Sequence, residues 1–592
     1  MTKQTINKTL YYGIVYGKWE SIAYALYGYI TRKIIFICED KPLRISLSPV
    51  IKSKIHFFQN IIGEYTGEYY KLHEETVQEP IASEELDLEK KSLIQFQNHV
   101  FHTNKIENFY KRQLSIFQYE FLRDLFLIRK HSISYKLILP KTKLYKLLAK
   151  RYLKDDEYTF SKLLTILYLS VGILGVLASV ISGLIIKPVR EKKLKGLVLR
   201  ELIWGFNKKR GFRDNFLVDN DIIKESDFIY YKSRDLTHDR IISYQQATKL
   251  KLKTIVLDNK FNVNVCFFKH LKNNIFFSLF YIIQAITEAP YLLPCLAIFL
   301  SHSNDSYRLF SFCDVSYYMS TEDYDDIART IVANDVGVRV FLYHWSDLTP
   351  YCTSTHQHVV HNDLFLWGPI IKQFQYRKIK SDNVYCIGCN FSNNYNKKTK
   401  HALRKELNLP INKPVVTFFD SSYSDTFFNT QKVYNDFIEN VIDYAQNNPK
   451  VKVVLKPKYL IKKKYEQMLK KSNVKIFNYQ DVFTIDVIRA SDLNVSMGMN
   501  SATTISLLCG VPALYHDTTG NHFHPLTKYE GQLVFREKET LFKQINDLLQ
   551  DRYIFPNIPE LQYYNNPNAD PEDILRKYLK YSKVDDSYLF KG

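Results

Sequence analysis

Four short stretches combine residue types able to hold and transfer a phosphorylated group. Gly498-Met499-Asn500-Ser501-Ala502-Thr503 follows the apolar run "DLNVS" and precedes an apolar helical run. A strand that ends in a glycine turn and feeds a helix offers an anion the unpaired N–H groups and partial positive charge of the first helical turn. Gly498 permits the tight turn, and Ser501 or Thr503 is placed to cap the helix and bond a phosphate oxygen. An ordinary capped strand-to-helix turn has the same pattern. Two neighbours enlarge it: "VKVVLKP" ends in Lys456-Pro457-Lys458, and "VVTFFD" ends in Asp420-Ser421-Ser422. Hydroxyls, cations and helix N–H groups at one edge suit a diphosphate or a nucleotide monophosphate. The fourth stretch is "VRVFLYH", closed by His344, whose imidazole has the right basicity to deprotonate an acceptor hydroxyl. Binding a donor phosphate, or merely ending a strand, are its alternatives.

These residues need a frame, and the hydrophobic pattern predicts an α/β one. From residue 196, "DFIYY", "KTIVLD", "VSYYMS" and "VRVFLYH" are short β-rich runs separated by helical windows, and Val315 to His344 reads as one βαβ unit. A second block starts near 413, where strands "PVVTFFD", "VKVVLKP", "VKIF", "DLNVS", "VPALYHD" and "QLVF" alternate with helices. Such alternation predicts a doubly wound parallel sheet, in which ligands sit beyond the carboxyl ends of the strands. The expected fold is therefore two facing Rossmann-like domains, 187–400 on the acceptor side and 401–560 on the donor side. An N-terminal extension over 1–162, to which the sequence assigns no chemistry, and a C-terminal tail over 561–592 complete the chain.

"SDLNVSMGMNSATTISLLCGVPALYHDTTG", with "VVLKPK" and "VVTFFDSS" upstream, resembles the donor-binding domain of GT-B glycosyltransferases, especially bacterial capsule and surface-carbohydrate enzymes. The likeness extends back to "FLYHWSDLTP" and "NDLFLWGP", and so spans about 200–550. It implies transfer of a sugar from a nucleotide-activated donor to a surface polysaccharide or a lipid-linked glycan. It implies donor contacts at Asp420, Ser421, Lys456, Lys458, Gly498, Asn500, Ser501 and Thr503, with His344 as the catalytic base. The nucleotide sugar is a co-substrate, and neither a cofactor nor a metal is expected. Many such enzymes carry a ribose-gripping glutamate in the helix after the small-residue turn, where this chain reads Thr504-Ile505-Ser506-Leu507. A teichoic-acid-type polyol-phosphate transferase releasing CMP shares the resemblance, and a non-catalytic nucleotide-binding scaffold is a third reading.

Other candidates are weaker. His356, His358 and His361 alternate along one segment without a helical metal motif. The run "EDYDD" at 322–326 imitates an Asp-x-Asp metal motif, yet acids also suit the first turn of a helix. His522 and His524 follow a strand end near the expected cleft. Cys386 and Cys389 form a single CxxC without a second to complete a zinc site, and read as reduced thiols.

The chain's net charge of +20 favours an acidic partner such as phosphorylated substrates or anionic lipid. Lysines are scattered and nucleic-acid-binding signatures are missing, so no nucleic acid is expected. Leu163 to Ile186 contains no charge and is long enough to cross a ~30 Å hydrocarbon core. Lys187, Arg190, Lys192, Lys193 and Lys195 follow it, while Lys141, Lys143, Lys146, Lys150 and Arg151 precede it. Basic flanks on both sides leave three options open: a crossing helix, a helix dipping into the inner leaflet, and a buried core helix. The expected location is the cytoplasmic face of the inner or plasma membrane, with the anionic surface as a partner. Ile275 to Ser301, interrupted by Pro290 and Pro294, is expected to be buried soluble helix with a break.

Overall fold

The computed structural model describes residues 10–12, 18–31, 35–38, 55–58, 91, 94–95, 97, 105–131, 135–184, 193–201, 217, 222–232, 252–256, 283, 286, 289–320, 327–344, 346, 358, 360–374, 381–393, 398–421, 423, 430–458, 461, 463–477, 482–520, 524–552, 554–582 and 584–589. The "EDYDD" run, His356, His522, Ser422 and the cations Lys187, Arg190 and Lys192 lie outside them.

Short apolar runs become parallel strands along the whole chain. The N-terminal region contains β1 (Leu10–Tyr12), β2 (Ile35–Cys38), β3 (Ile55–Phe58), β4 (Tyr135–Pro140) and β5 (Tyr158–Ser161), in the spatial order β3-β2-β1-β4-β5. A small pair joins β6 (Leu194–Lys195) to β10 (Cys313–Asp314). The second large sheet comprises β7 (Val198–Glu201), β8 (Phe228–Lys232), β9 (Thr254–Val256), β11 (Tyr317–Met319), β12 (Arg339–Tyr343), β13 (Asp363–Leu366) and β14 (Asn383–Cys386), ordered β14-β13-β12-β11-β7-β8-β9. The third comprises β15 (Val415–Phe419), β16 (Lys452–Lys456), β17 (Lys475–Ile476), β18 (Leu493–Met497), β19 (Ala513–His516) and β20 (Val534–Phe535), ordered β17-β16-β15-β18-β19-β20. Every named ladder is parallel.

All three large sheets wind the same way. Two strands add in one direction from the first, then the chain returns to that first strand's other side and adds strands in the opposite direction. Each sheet thus has a switch point, at β1/β4, β7/β11 and β15/β18, where the connections leave in opposite directions and open a crevice. The N-terminal sheet is a finding that the sequence did not assign. β15 and β18 are buried at every residue, as expected for parallel strands covered on both faces.

The N-terminal sheet is covered by α1 (Lys18–Thr31), α2 (Ile106–His131), α3 (Lys143–Tyr152) and α4 (Lys162–Leu184). Their core runs without a break into α5 (Leu293–Ser311), α6 (Ile327–Asp335) and one face of the second sheet through Leu199, Ile229, Tyr318 and Val340. Helix α4 is seated against α5: a Cβ on Gly172 would meet Leu293 Cβ at 3.0 Å, and Asn304 donates to the Ser179 carbonyl at 2.8 Å. The apolar 163–186 segment is thus half built into the protein. The stretch expected as buried helix also divides: α5, after a 3-10 turn at Pro290–Leu292, is buried along most of its length, whereas Ile283 and Ile286 are exposed.

The second and third sheets share two cores. One joins Phe341, Tyr343 and Phe365 to Phe419, Val454, Ile485 and Ile505, and the other joins Leu342, Leu364 and Leu366 to Met499, Ala513, Tyr515 and Val534. After the third sheet the chain returns to the second. There α10 (Pro571–Tyr581), capped by Asp570, donates the Tyr578 hydroxyl to Asp363 at 2.7 Å. Between them lie α7 (Gln431–Asn447), α8 (Thr484–Ala490) and α9 (Ser501–Leu508) of the third sheet.

Candidate functional site

The site is built at the switch point of the third sheet. Register places Phe419 of β15 opposite Lys456 of β16 on one side and Ser496 of β18 on the other, so three loops leave the same edge together. The loop after β18 turns at Gly498, whose φ of +62° lies in the left-handed region that favours glycine. Its N–H donates to the His516 carbonyl at 2.8 Å, which fixes the turn against β19. Asn500 then caps α9: its side-chain oxygen accepts from the Ala502 N–H at 2.9 Å while its amide donates to the Met497 carbonyl at 3.2 Å.

Two expectations change here. The cap is Asn500, and not Ser501 or Thr503. Thr503 is also turned into the fold and does not face a ligand: it is buried, bonded to Ser496 Oγ at 2.6 Å and to the Leu514 carbonyl at 3.1 Å. Packing between helix and strand has claimed its hydroxyl. Ser501, at the first helical position, stays partly exposed.

The loops after β15 and β16 are tied to each other. The Lys458 N–H donates to the Asp420 carboxylate, and Lys456 adds its charge nearby. Burial pushes the Asp420 carboxyl up to about 7, only partly offset by that N–H and the two lysines. Asp420, Ser421 and Lys456 are buried, and Lys458 is exposed. The edge therefore holds a carboxyl close to its titration point beside two cations.

His344 follows β12 and is fully buried. Its backbone N–H donates to the Phe365 carbonyl at 2.8 Å, and its ring meets Trp367 edge to face with centroids 4.8 Å apart. The sequence reading has His344 facing the cleft between the two sheets; in the structure Trp367, at the end of the adjacent strand, lies against its ring and encloses it. Two residues on, Ser346 Oγ donates to Ser501 Oγ at 3.0 Å. That bond brings the His344 loop of the second sheet to the amino end of α9 in the third. Ser346 escaped the sequence reading, because a serine two positions past a strand carries no signal of a partner 155 residues away.

The second sheet's switch point is occupied differently. Glu201, at the end of β7, accepts from the Tyr231 hydroxyl at 3.2 Å and lies 3.6 Å from Arg329. Arg329 donates to the Tyr231 hydroxyl at 2.6 Å and sits over the rings of Tyr231 and Tyr318. Strand pairing and the packing of α6 bring these four residues together, so the sequence did not reveal them.

The remaining candidates have structural work. His524 caps a 3-10 turn by accepting from the Leu526 N–H at 3.1 Å, and stacks on Tyr564. His361 is buried near Arg112 and Lys105, and burial with those charges lowers its pKa to about 3. His358 is buried in a left-handed conformation. No three His, Cys, Asp or Glu side chains gather as a metal site among the described residues. Cys386 and Cys389 are free thiols, and burial pushes the Cys386 thiol up to about 12.

Residues 328–544 match the model of the polysaccharide biosynthesis PFTS motif protein family. The match begins within α6, so His344, Ser346 and the eight candidate donor contacts all fall inside it. No curated protein matches the chain. Among solved structures, the wall teichoic acid polymerase TagF aligns at 12% identity with a TM-score of 0.38, covering 69% of this chain and 94% of that one. The UDP-GlcNAc 2-epimerase of Methanocaldococcus jannaschii aligns at 13% and 0.35, covering 65% and 100%. That of Neisseria meningitidis aligns at 13% and 0.33, covering 65% and 97%.

Proposed function

We propose that the protein is a glycosyltransferase that moves a sugar from a nucleotide-activated donor to a surface polysaccharide or lipid-linked glycan acceptor. The Ser346–Ser501 bond carries this reading. It brings a histidine-bearing loop of one parallel sheet to a helix amino end and switch point of another, within the stretch that matches a polysaccharide-biosynthesis family. In the reaction, the donor phosphates lie at the amino end of α9 and beside Lys456 and Lys458, which stabilise charge on the leaving phosphate oxygen. His344 takes the acceptor hydroxyl proton as the hydroxyl oxygen bonds the anomeric carbon and the bond to phosphate breaks. Because His344 is enclosed, an acceptor reaches it only when Ser346 and Ser501 part and Trp367 gives way. These fixed cations supply the charge that a metal would otherwise bring.

A panel of UDP, GDP, CMP, CDP and ADP scored by thermal stabilisation tests the site. A ligand held by the folded state alone stabilises it by about 2.7 kcal/mol at a hundredfold excess over Kd. One nucleotide should raise Tm in the wild type and not in Ser501→Trp; silence from all five at millimolar concentration sinks the proposal. A non-catalytic scaffold that binds a nucleotide without turning it over has one observation in its favour. Helix α9 offers no carboxylate for a ribose, and its Thr504 and Ser506 hydroxyls bond Tyr515 and the Ala502 carbonyl. CMP release with glycerol phosphate transferred would mark a polyol-phosphate transferase of the teichoic-acid type. Nucleotide binding without turnover, unaltered by His344→Ala, identifies a scaffold instead.

A further inference from the structure

Helix α4 is apolar on two opposite sides, and only one of them is used. Leu164, Tyr168, Val171, Gly172, Val176 and Ser179 are buried in the N-terminal core. The other side presents Ile166 at 61%, Leu174 at 60% and Ile181 at 49% exposure, with Ser170 and Ala178 exposed between them. Three large aliphatic side chains spaced about two turns apart form a stripe along the helix rather than scattered single exposures. A helix whose outer face faced only water would carry charge there, and α4 carries none after Lys162.

The surroundings are cationic. Helix α3 buries Leu144, Tyr145, Leu148 and Ala149 and exposes Lys143, Lys146, Lys150 and Arg151. Its approach is tied to the first turn of α4, since the exposed Lys141 donates its N–H to Thr165 Oγ1 at 2.7 Å. Beyond the other end of α4, Lys193 and Lys195 are exposed. Residues 141–195 contain twelve Lys and Arg against four Asp and Glu, so eight of the chain's twenty net positive charges fall in this short stretch. An aliphatic stripe flanked by lysines complements a bilayer carrying anionic headgroups: the stripe enters the acyl boundary and the lysines meet the phosphates.

We propose that α4 lies in the plane of an anionic phospholipid leaflet, with Ile166, Leu174 and Ile181 inserted and the basic face of α3 against the headgroups, while its opposite side stays in the protein core. Crossing the bilayer would require α4 to leave α5, undoing the Gly172–Leu293 contact and the Asn304 bond to Ser179. The proposal needs no nucleotide site. Its assay contains no nucleotide, so it stands or falls separately from the transferase reading.

Flotation of the full chain with phosphatidylcholine vesicles, with and without 30% phosphatidylglycerol, tests it. The wild type should float with the anionic vesicles, remain largely unbound with the neutral ones, and be released by high salt. Ile166→Ser/Leu174→Ser should lower partitioning at least about tenfold, and Lys143→Glu/Lys146→Glu should lower it only on anionic vesicles. Leu174→Trp supplies a readout free of folding loss, because its fluorescence should shift to the blue and be quenched by brominated lipid. Equal binding by the serine variant with an unshifted tryptophan overturns the proposal. So does loss of self-association in the serine variant without any vesicle binding by the wild type, which would make the stripe a contact between copies. Resistance of the wild type to alkaline carbonate extraction from cell membranes would replace lying in the leaflet by crossing it.

Discussion

The switch points of the second and third sheets share a winding and differ in what fills them. At β7/β11 the space is taken by the protein's own groups, Glu201, Tyr231, Tyr318 and Arg329, each bonded to another. At β15/β18 it is edged by Gly498, Asn500 and Ser501, small residues that leave helix N–H groups within reach, and by a carboxyl held near pH 7. Backbone topology supplies a crevice in both places. Among the described residues, side-chain size and charge balance are what differ between the two edges, and the proposed donor site rests on that difference.

Substitutions at the two edges should separate these roles. The largest effect is expected from Arg329→Ala, which removes the cation from beside the buried Glu201 and from the faces of two tyrosines. It should cost about 3 kcal/mol in chemical denaturation while leaving nucleotide stabilisation of the remaining folded protein in place. If stability falls by less than 1 kcal/mol, the edge is not a packed core.

Asp420→Asn should act in the opposite direction. The fold holds this proton up to about 7, whereas an unfolded aspartate releases it near 3.9. The folded state therefore binds more protons across that window, and stability declines as pH rises through it. The variant should gain about 2 kcal/mol over wild type at pH 8 and nothing at pH 3, measured by urea midpoints at both. A variant less stable at pH 8 would mean that Lys456 and Lys458 already compensate the charge.

Asn500→Ala removes the cap of α9 and should cost about 1 kcal/mol, with a weaker response to the stabilising nucleotide. Ser346→Ala is the mildest change, at about 0.5 kcal/mol or less. It should tighten nucleotide binding in calorimetry, because the bond to Ser501 closes the cleft against a ligand. Weaker binding would instead make Ser346 a ligand contact.

Where the chain alternates regularly, its pattern was readable. The strands from Val415 to Phe535, the glycine turn and the grouping of Asp420 with Lys456 and Lys458 all follow from local periodicity and the rule that such loops share one edge. The N-terminal sheet did not announce itself, because its strands are drawn from stretches as far apart as Leu10 and Ser161, with no regular alternation of strand and helix among the described residues between β3 and β4. Which way a side chain points was the harder problem. Thr503 and Ser501 are two residues apart on α9, yet one is locked under Leu514 and the other remains at the rim. His344 was placed at the right strand end, but its cover, Trp367, comes from a neighbouring strand. The apolar 163–186 segment has a composition equal to that of a spanning helix, and only packing, through Gly172 on Leu293 and Ser179 on Asn304, shows that one side is already occupied.

The return of α10 to the second sheet also bears on the order in which the protein can assemble as it is made. The third sheet is drawn from one continuous stretch and can close while the ribosome is still adding residues. The second cannot: Asp363 waits for Tyr578, 215 residues later, and Tyr317 for the Tyr578 carbonyl and Ser582. Phe341 and Phe365, which pack on Tyr578, stay without that cover through the same interval. A nascent chain halted before α10 would thus present a finished third sheet joined to an unfinished second one, a natural target for chaperones.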